Sequence, residues 1–394
     1  MRVVVIALKG CPVAALGPYG NEWVATPTLD RLAAEGVVFD RHLCDCPDPA
    51  AACSAWRTGS SRLAASNPAT RPDLLDRLHA AGAATTLVRH NRPENDSPAD
   101  FYAGWGRLFD ARPDPADRSP ADSLLRVLPE VLGALPERAL VWVEIDRLLP
   151  PWDVPQAVFD AYVEELLDEE SGESVAPWTD PPAGWFDKDD HASWELLHRS
   201  FAAAVTAFDA DLERVFELVR GIDATAVLTA DQGFPLGEHG IVGRFRPWLH
   251  EELVHVPLIV RLPGGAEAGR RVNAFTQPAD LMPTLAGWFG VTVEPADGMS
   301  LLPLLRGEAV PWRDAAISCL TLAGRSEWAI RTDEWALLVP GEQPAEDEPR
   351  REPMLFRKPD DRWEVNDLRP RHLDTADELE ARFRAATGAP TATG

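Results

Sequence analysis

The chain has 394 residues, with 63 Asp and Glu against 38 Lys and Arg, giving a formal charge of −25. So acidic a chain excludes a nucleic-acid binder, because phosphate recognition needs a dense basic surface, and it argues equally against docking on an anionic membrane. With 45% hydrophobic and 26% charged residues the composition is globular, and the length suits one large α/β domain plus a smaller one. Residues 1–8 are nearly all apolar and too short for a signal-peptide core; they predict a buried parallel strand. No run of about 18 apolar residues follows, so the expectation is a cytoplasmic chain without a membrane span. The five cysteines, Cys11, Cys44, Cys46, Cys53 and Cys319, form no disulfide framework and read as thiols in a reducing compartment.

In chain order, residues 28–36 predict a short helix stopped by Gly36, and 37–40 a strand. Residues 74–81 are helical and 85–88 and 139–143 are strands. The stretch 201–220 has apolar residues at helical spacing and leads into strands at 226–229 and 256–260. Helices between apolar strands imply a large, mixed and mostly parallel sheet sandwiched by helices. The segments 92–120 and 150–194, rich in Pro, Asp and Trp, read as surface excursions over the sheet edge. From about residue 311 the pattern becomes α+β, with short strands at 327–331, 335–339 and 354–357 and a helix near 375–385. The expected division is 1–310, 311–387 and a mobile tail, 388–394.

Several motifs resemble the type I sulfatases of the alkaline-phosphatase superfamily. Leu16-Gly17-Pro18-Tyr19-Gly20, followed by residues 26–39, is similar to the family's opening. Thr229-Ala230-Asp231-Gln232-Gly233 with Leu236-Gly237-Glu238-His239-Gly240 resembles its metal strand and histidine loop. Residues 251–260, 280–285, 297–305, 328–332 and 364–368 follow the family's order to its end. The resemblance implies that family's fold. It also implies a divalent cation, usually calcium, a formylglycine made from Cys or Ser, basic groups on the sulfate oxygens and a histidine acid.

Carried onto this chain, those elements change. The two metal-binding aspartates fall on Lys9 and Gly10, and an ammonium repels a cation where a carboxylate would ligate it. Only Asp231 and Gln232 then remain as oxygen ligands, too few for calcium or magnesium. The ungapped register places Pro49, without any side-chain nucleophile, at the formylglycine position. A rival register puts Cys53 there through Cys53-Ser54-Ala55-Trp56-Arg57. The family's lysine and histidine fall on His90 and Arg92, its later lysine on Arg246, and His239 keeps its place as a candidate acid or base.

Two functions follow. In the first the protein is a pseudoenzyme that needs no cofactor. It would use a pocket of Lys9, Gly10, His90, Arg92, Asp231, Gln232, His239 and Arg246 to bind a small sulfated or phosphorylated ligand, or bind a protein partner. Trp152, Trp178, Trp185 and Trp194 could add aromatic surface for such contacts, or simply cover the sheet edge. In the second it is a working sulfate or phosphate ester hydrolase using Cys53, with calcium or another divalent cation.

Overall fold

The computed structural model describes residues 1–63, 72–90, 99–117, 119–163, 175–294, 296–341 and 351–388. Arg92 and, apart from Gly388, the expected tail 388–394 lie outside these. The first ten strands are β1 (Arg2–Leu8), β2 (Val37–His42), β3 (Ala84–His90), β4 (Arg107–Ala111), β5 (Ala139–Ile145), β6 (Gly184–Trp185), β7 (Thr225–Ala230), β8 (Ile241–Val242), β9 (Leu258–Arg261) and β10 (Arg270–Thr276). Eight of them make one sheet in the order β10-β2-β9-β7-β1-β5-β3-β4, while β6 and β8 pair as a small ribbon. Within the large sheet β9 runs antiparallel to both neighbours and the other pairs are parallel. The mostly parallel sheet expected from the sequence is therefore present.

Side-chain alternation builds a core on each face. On β1, Val4, Ile6 and Leu8 pack with Phe201, Phe208 and Phe216 of the long helix His191–Gly221. Val3, Val5 and Ala7 face Ala52, Cys53 and Trp56 of the helix Pro49–Thr58. Burying each large apolar side chain contributes about 1.5–3 kcal/mol. The long helix also caps a shorter one: Asp209 accepts the Thr28 and Leu29 N–H groups at 2.8 and 2.9 Å, at the start of the helix Pro27–Glu35. These donors have no partner within their own helix.

The excursion expected over 92–120 instead contains β4, the edge strand beside β3. Its five residues, Arg-Leu-Phe-Asp-Ala, are too short and too charged to stand out by period. Within 150–194 lie the helix Gln156–Val163, β6 and the first turn of the long helix, which begins at His191 and not at 201.

Strands β11 (Ala315–Leu322), β12 (Arg325–Thr332), β13 (Trp335–Pro340) and β14 (Met354–Arg357) form a second, antiparallel sheet. The helix Leu373–Thr387 covers one face through Leu379 and Phe383 on Leu337, Val339 and Leu355. The other face packs Ala336, Leu338 and Phe356 on Leu43, Leu253 and Phe275 of the large sheet's flank. Among the described residues no helix is long and apolar enough to cross a membrane.

Candidate functional site

Strand β1 continues its ladder past its last residue. Lys9 N–H donates to the Ile145 carbonyl, Asp231 N–H to that of Leu8, and Cys11 N–H to that of Gln232. These bonds fix the carboxyl ends of β1, β5 and β7 side by side, where open α/β sheets place their ligands. Ala7 pairs with Glu144 on β5 and with Thr229 on β7, so Lys9, Glu144 and Asp231 share the face of the helix Pro49–Thr58. Lys9 Nζ lies 3.2 Å from Glu144 Oε1 and 3.6 Å from Asp231 Oδ2. Tyr102 donates its hydroxyl to Glu144 Oε2 at 2.8 Å, and Gly10 N–H donates to Asp231 Oδ1 at 3.0 Å.

This cluster is enclosed. Lys9 is 9% exposed, Glu144 3% and Asp231 not at all. Burial favours the neutral amine, but Asp231 and then Glu144 outweigh it and hold the Lys9 pKa well above its ordinary value. One ammonium cannot fully offset two carboxylates, and burial raises the Asp231 pKa. Leu149 closes the site from above: a Cβ built on Gly10 would stand 2.2 Å from its Cδ2. Gly10 itself adopts a φ of +64°, the left-handed region that glycine enters freely.

Pro49 opens the helix Pro49–Thr58, whose N-terminal N–H groups of Ala50 and Ala51 are capped by Asp48. Cys53 stands one turn further along, 1% exposed and within the core of that face. Burial raises its thiol pKa, and the nearby Lys9 only partly opposes this. A buried thiol without thiolate character is a poor nucleophile.

The other predicted residues disperse. His90 belongs to the opposite face, in a small cavity with Arg147 and Asp211, and its Nε2 meets the Pro120 carbonyl at 3.1 Å. Burial, then Arg147, pushes its pKa down to about 4. Arg246 is 5% exposed, with its guanidinium 5.3 Å from the Trp185 ring centroid and 5.6 Å from that of Trp248. Gln232 is buried, and among the described residues its Oε1 has no hydrogen-bond partner. His239 presents Nδ1 to Glu252 at 2.7 Å and Nε2 to the Glu364 carbonyl at 3.1 Å, and stacks on His250 at 3.7 Å. Burial opposes its charged form, but Glu252 prevails and raises its pKa.

Sequence reasoning missed Glu144 and Tyr102. An acid in the otherwise apolar strand Ala-Leu-Val-Trp-Val-Glu-Ile was the available signal for Glu144. Tyr102, one of 3 tyrosines in the chain, left no such signal.

The sulfatase family description matches residues 171–291. An N-acetylglucosamine-6-O-sulfatase of Bacteroides thetaiotaomicron is 37% identical over 135 residues, 32% of this chain and 24% of the relative. A multifunctional alkaline phosphatase superfamily protein of Trinickia caryophylli is 30% identical over 131 residues, 32% of this chain and 25% of the relative. The chain therefore matches about a quarter of the length of these curated relatives. The fold itself superposes throughout on the phosphonate monoester hydrolase of Agrobacterium radiobacter, with a TM-score of 0.74, 19% identity, and 98% of this chain and 95% of that one covered. Residues 171–291 therefore resemble the sulfatases, and the chain as a whole shares the fold of this hydrolase.

Sulfatases usually carry calcium, which requires six to eight oxygen ligands. In this chain an ammonium stands among the oxygens of Asp231 and Glu144, and Gly10 offers no side chain. Among the described residues no group of three or more His, Cys, Asp or Glu is arranged to hold a metal. These residues do not fit a divalent cation.

Proposed function

We propose that this chain is a non-hydrolytic member of the sulfatase family, whose strand-end site has become an internal salt-bridge cluster. The observation that carries the reading is Lys9 Nζ seated between Glu144 and Asp231, where it supplies fixed positive charge without a cation. Pro49 offers no nucleophile, and Cys53 is buried with a raised pKa. Recognition is the role that remains for the fold: binding of a small anionic molecule, sulfated or phosphorylated, or of a protein partner. The Bacteroides relative is an N-acetylglucosamine-6-O-sulfatase, which makes sulfated N-acetylglucosamine the first such molecule to try.

The test is an assay of the purified protein, with and without added calcium, on p-nitrophenyl sulfate, p-nitrophenyl phosphate and a phosphonate monoester. Rates should match the protein-free control, and the peptide carrying Cys53 should show an unmodified thiol mass. Turnover that Cys53→Ala abolishes, or an aldehyde at Cys53, overturns the reading.

A further inference from the structure

A cavity of about 520 Å³ lies in the seam between the β2–β10 edge and the second sheet, and none of its lining residues belongs to the Lys9 cluster. Five permanent cations face it, Arg41, Arg271, Arg331, Lys358 and Arg362, against the carboxylates of Asp40, Glu251 and Asp333. The lining charge is thus 5 − 3 = +2, on a chain whose formal charge is −25.

The cations are held in place from behind. Arg331 and Lys358 both pair with Glu364, and Lys358 reaches Glu251 at 3.0 Å. Arg271 pairs with Asp40 and donates to the Pro18 carbonyl at 3.0 Å; Arg362 donates to that of Tyr19 at 2.9 Å. Arg41 pairs with Asp333 and sits 3.9 Å from the centroid of the Phe275 ring. Groups anchored in this way lose little freedom when an anion arrives.

A buried histidine also borders the cavity. His255 lines the cavity and is 7% exposed; its Nδ1 is held by Glu251 Oε2 at 2.8 Å, while its buried Nε2 has no hydrogen-bond partner among the described residues. Leu43, Phe275 and the Tyr19 ring supply apolar wall.

We propose that this cavity binds a small organic anion with a flat apolar body. The anionic group, a carboxylate or phosphate, would meet the Arg41 and Arg271 side, and the body would lie along the wall of Leu43, Phe275 and Tyr19. The site is separate from the strand-end cluster and does not depend on the absence of hydrolysis, so the two readings fail separately. The experiment is calorimetric titration of the full chain with 4-hydroxybenzoate, phenyl phosphate and inorganic phosphate. At least one organic anion should bind saturably, and more tightly than inorganic phosphate. Arg271→Gln and Arg41→Gln should each weaken it about tenfold, the loss expected for one charged hydrogen bond. Thermal midpoints of the variants keep misfolding apart from lost contact. No saturable binding of either organic anion, equal binding of inorganic phosphate, or full affinity in both variants overturns the proposal.

Discussion

Lys9 Nζ stands 3.6 Å from Asp231 Oδ2, while Gly10, the next residue, gives its N–H to the other oxygen of the same carboxylate. Two consecutive residues at the end of β1 thus bind one buried acid. The cluster holds its charges together by ion pairing. Its cost is desolvation of three charges, and its stability depends on keeping them together.

Lys9→Met should therefore be strongly destabilising. It leaves Glu144 and Asp231 buried without a counter-charge, a loss of about 3–5 kcal/mol when one partner of a buried pair is removed. Urea unfolding of Lys9→Met and Asp231→Asn, singly and together, checks this. The double variant should lose less than the sum of the singles, because the interaction is shared. Strict additivity would show that the pair is not coupled.

Gly10 shows why restoring the family's acids is not a simple repair. Any Cβ there meets Leu149 and must hold a φ of +64°. Gly10→Ala should cost about 2–4 kcal/mol, combining a left-handed backbone penalty with overpacking. In the background of Leu149→Ala the contact part should largely disappear. Thermal unfolding of the three variants measures it, and an unchanged midpoint for Gly10→Ala would refute the packing argument.

The fold was legible because apolar strands alternating with helices leave few architectures, and the family-like motifs fall in order along the chain. The site was legible only in part. Lys9, Gly10 and Asp231 could be placed together because each closes a strand that the sequence marks clearly. His90 could not be separated from them: the face it takes depends on which residue of β3 pairs with which of β5, a register set by packing. Glu144 fell one residue past the strand read as 139–143, and its charge alone does not distinguish a buried ion-pair partner from an exposed strand-end acid. The seam cavity depends on Arg41, Arg271 and Lys358, more than 200 residues apart in part, brought together only by docking of the two sheets.

Acid should destabilise the protein through its buried histidines. His198 and His90 are each pushed down to about 4 by burial, so they fold uncharged while the unfolded chain titrates near 6.5. Their stabilisation is complete above pH 6.5 and is lost as pH falls towards 4, by up to about 3 kcal/mol each. Glu238, raised to about 7 by burial and then by Glu252, has the opposite sign: its stabilisation is full below about 4.5 and is lost as pH rises through 7. His198→Phe keeps a ring against Trp194, which His198 stacks on at 3.9 Å, and removes one titrating group. Its stability curve should fall less steeply than the parent's between pH 6.5 and 4.5. Parallel curves would show that His198 is not the titrating group.

Thiol reactivity separates the cysteines and bears directly on Cys53. Cys319 is half-buried, and its hydrogen bond with Cys46 lowers its pKa, although burial opposes this. Cys53, Cys11 and Cys44 are buried, and burial raises all three. Alkylation follows the exposed thiolate, so a short iodoacetamide treatment of the native protein at mildly alkaline pH should label Cys319 first. Cys53 should remain unlabelled until denaturant is added, with peptide masses taken over time as the measurement. A nucleophile in a working ester hydrolase must be open to its substrate. Labelling of Cys53 in the folded protein as fast as that of Cys319 would place it on an accessible surface and return the chain to the hydrolases.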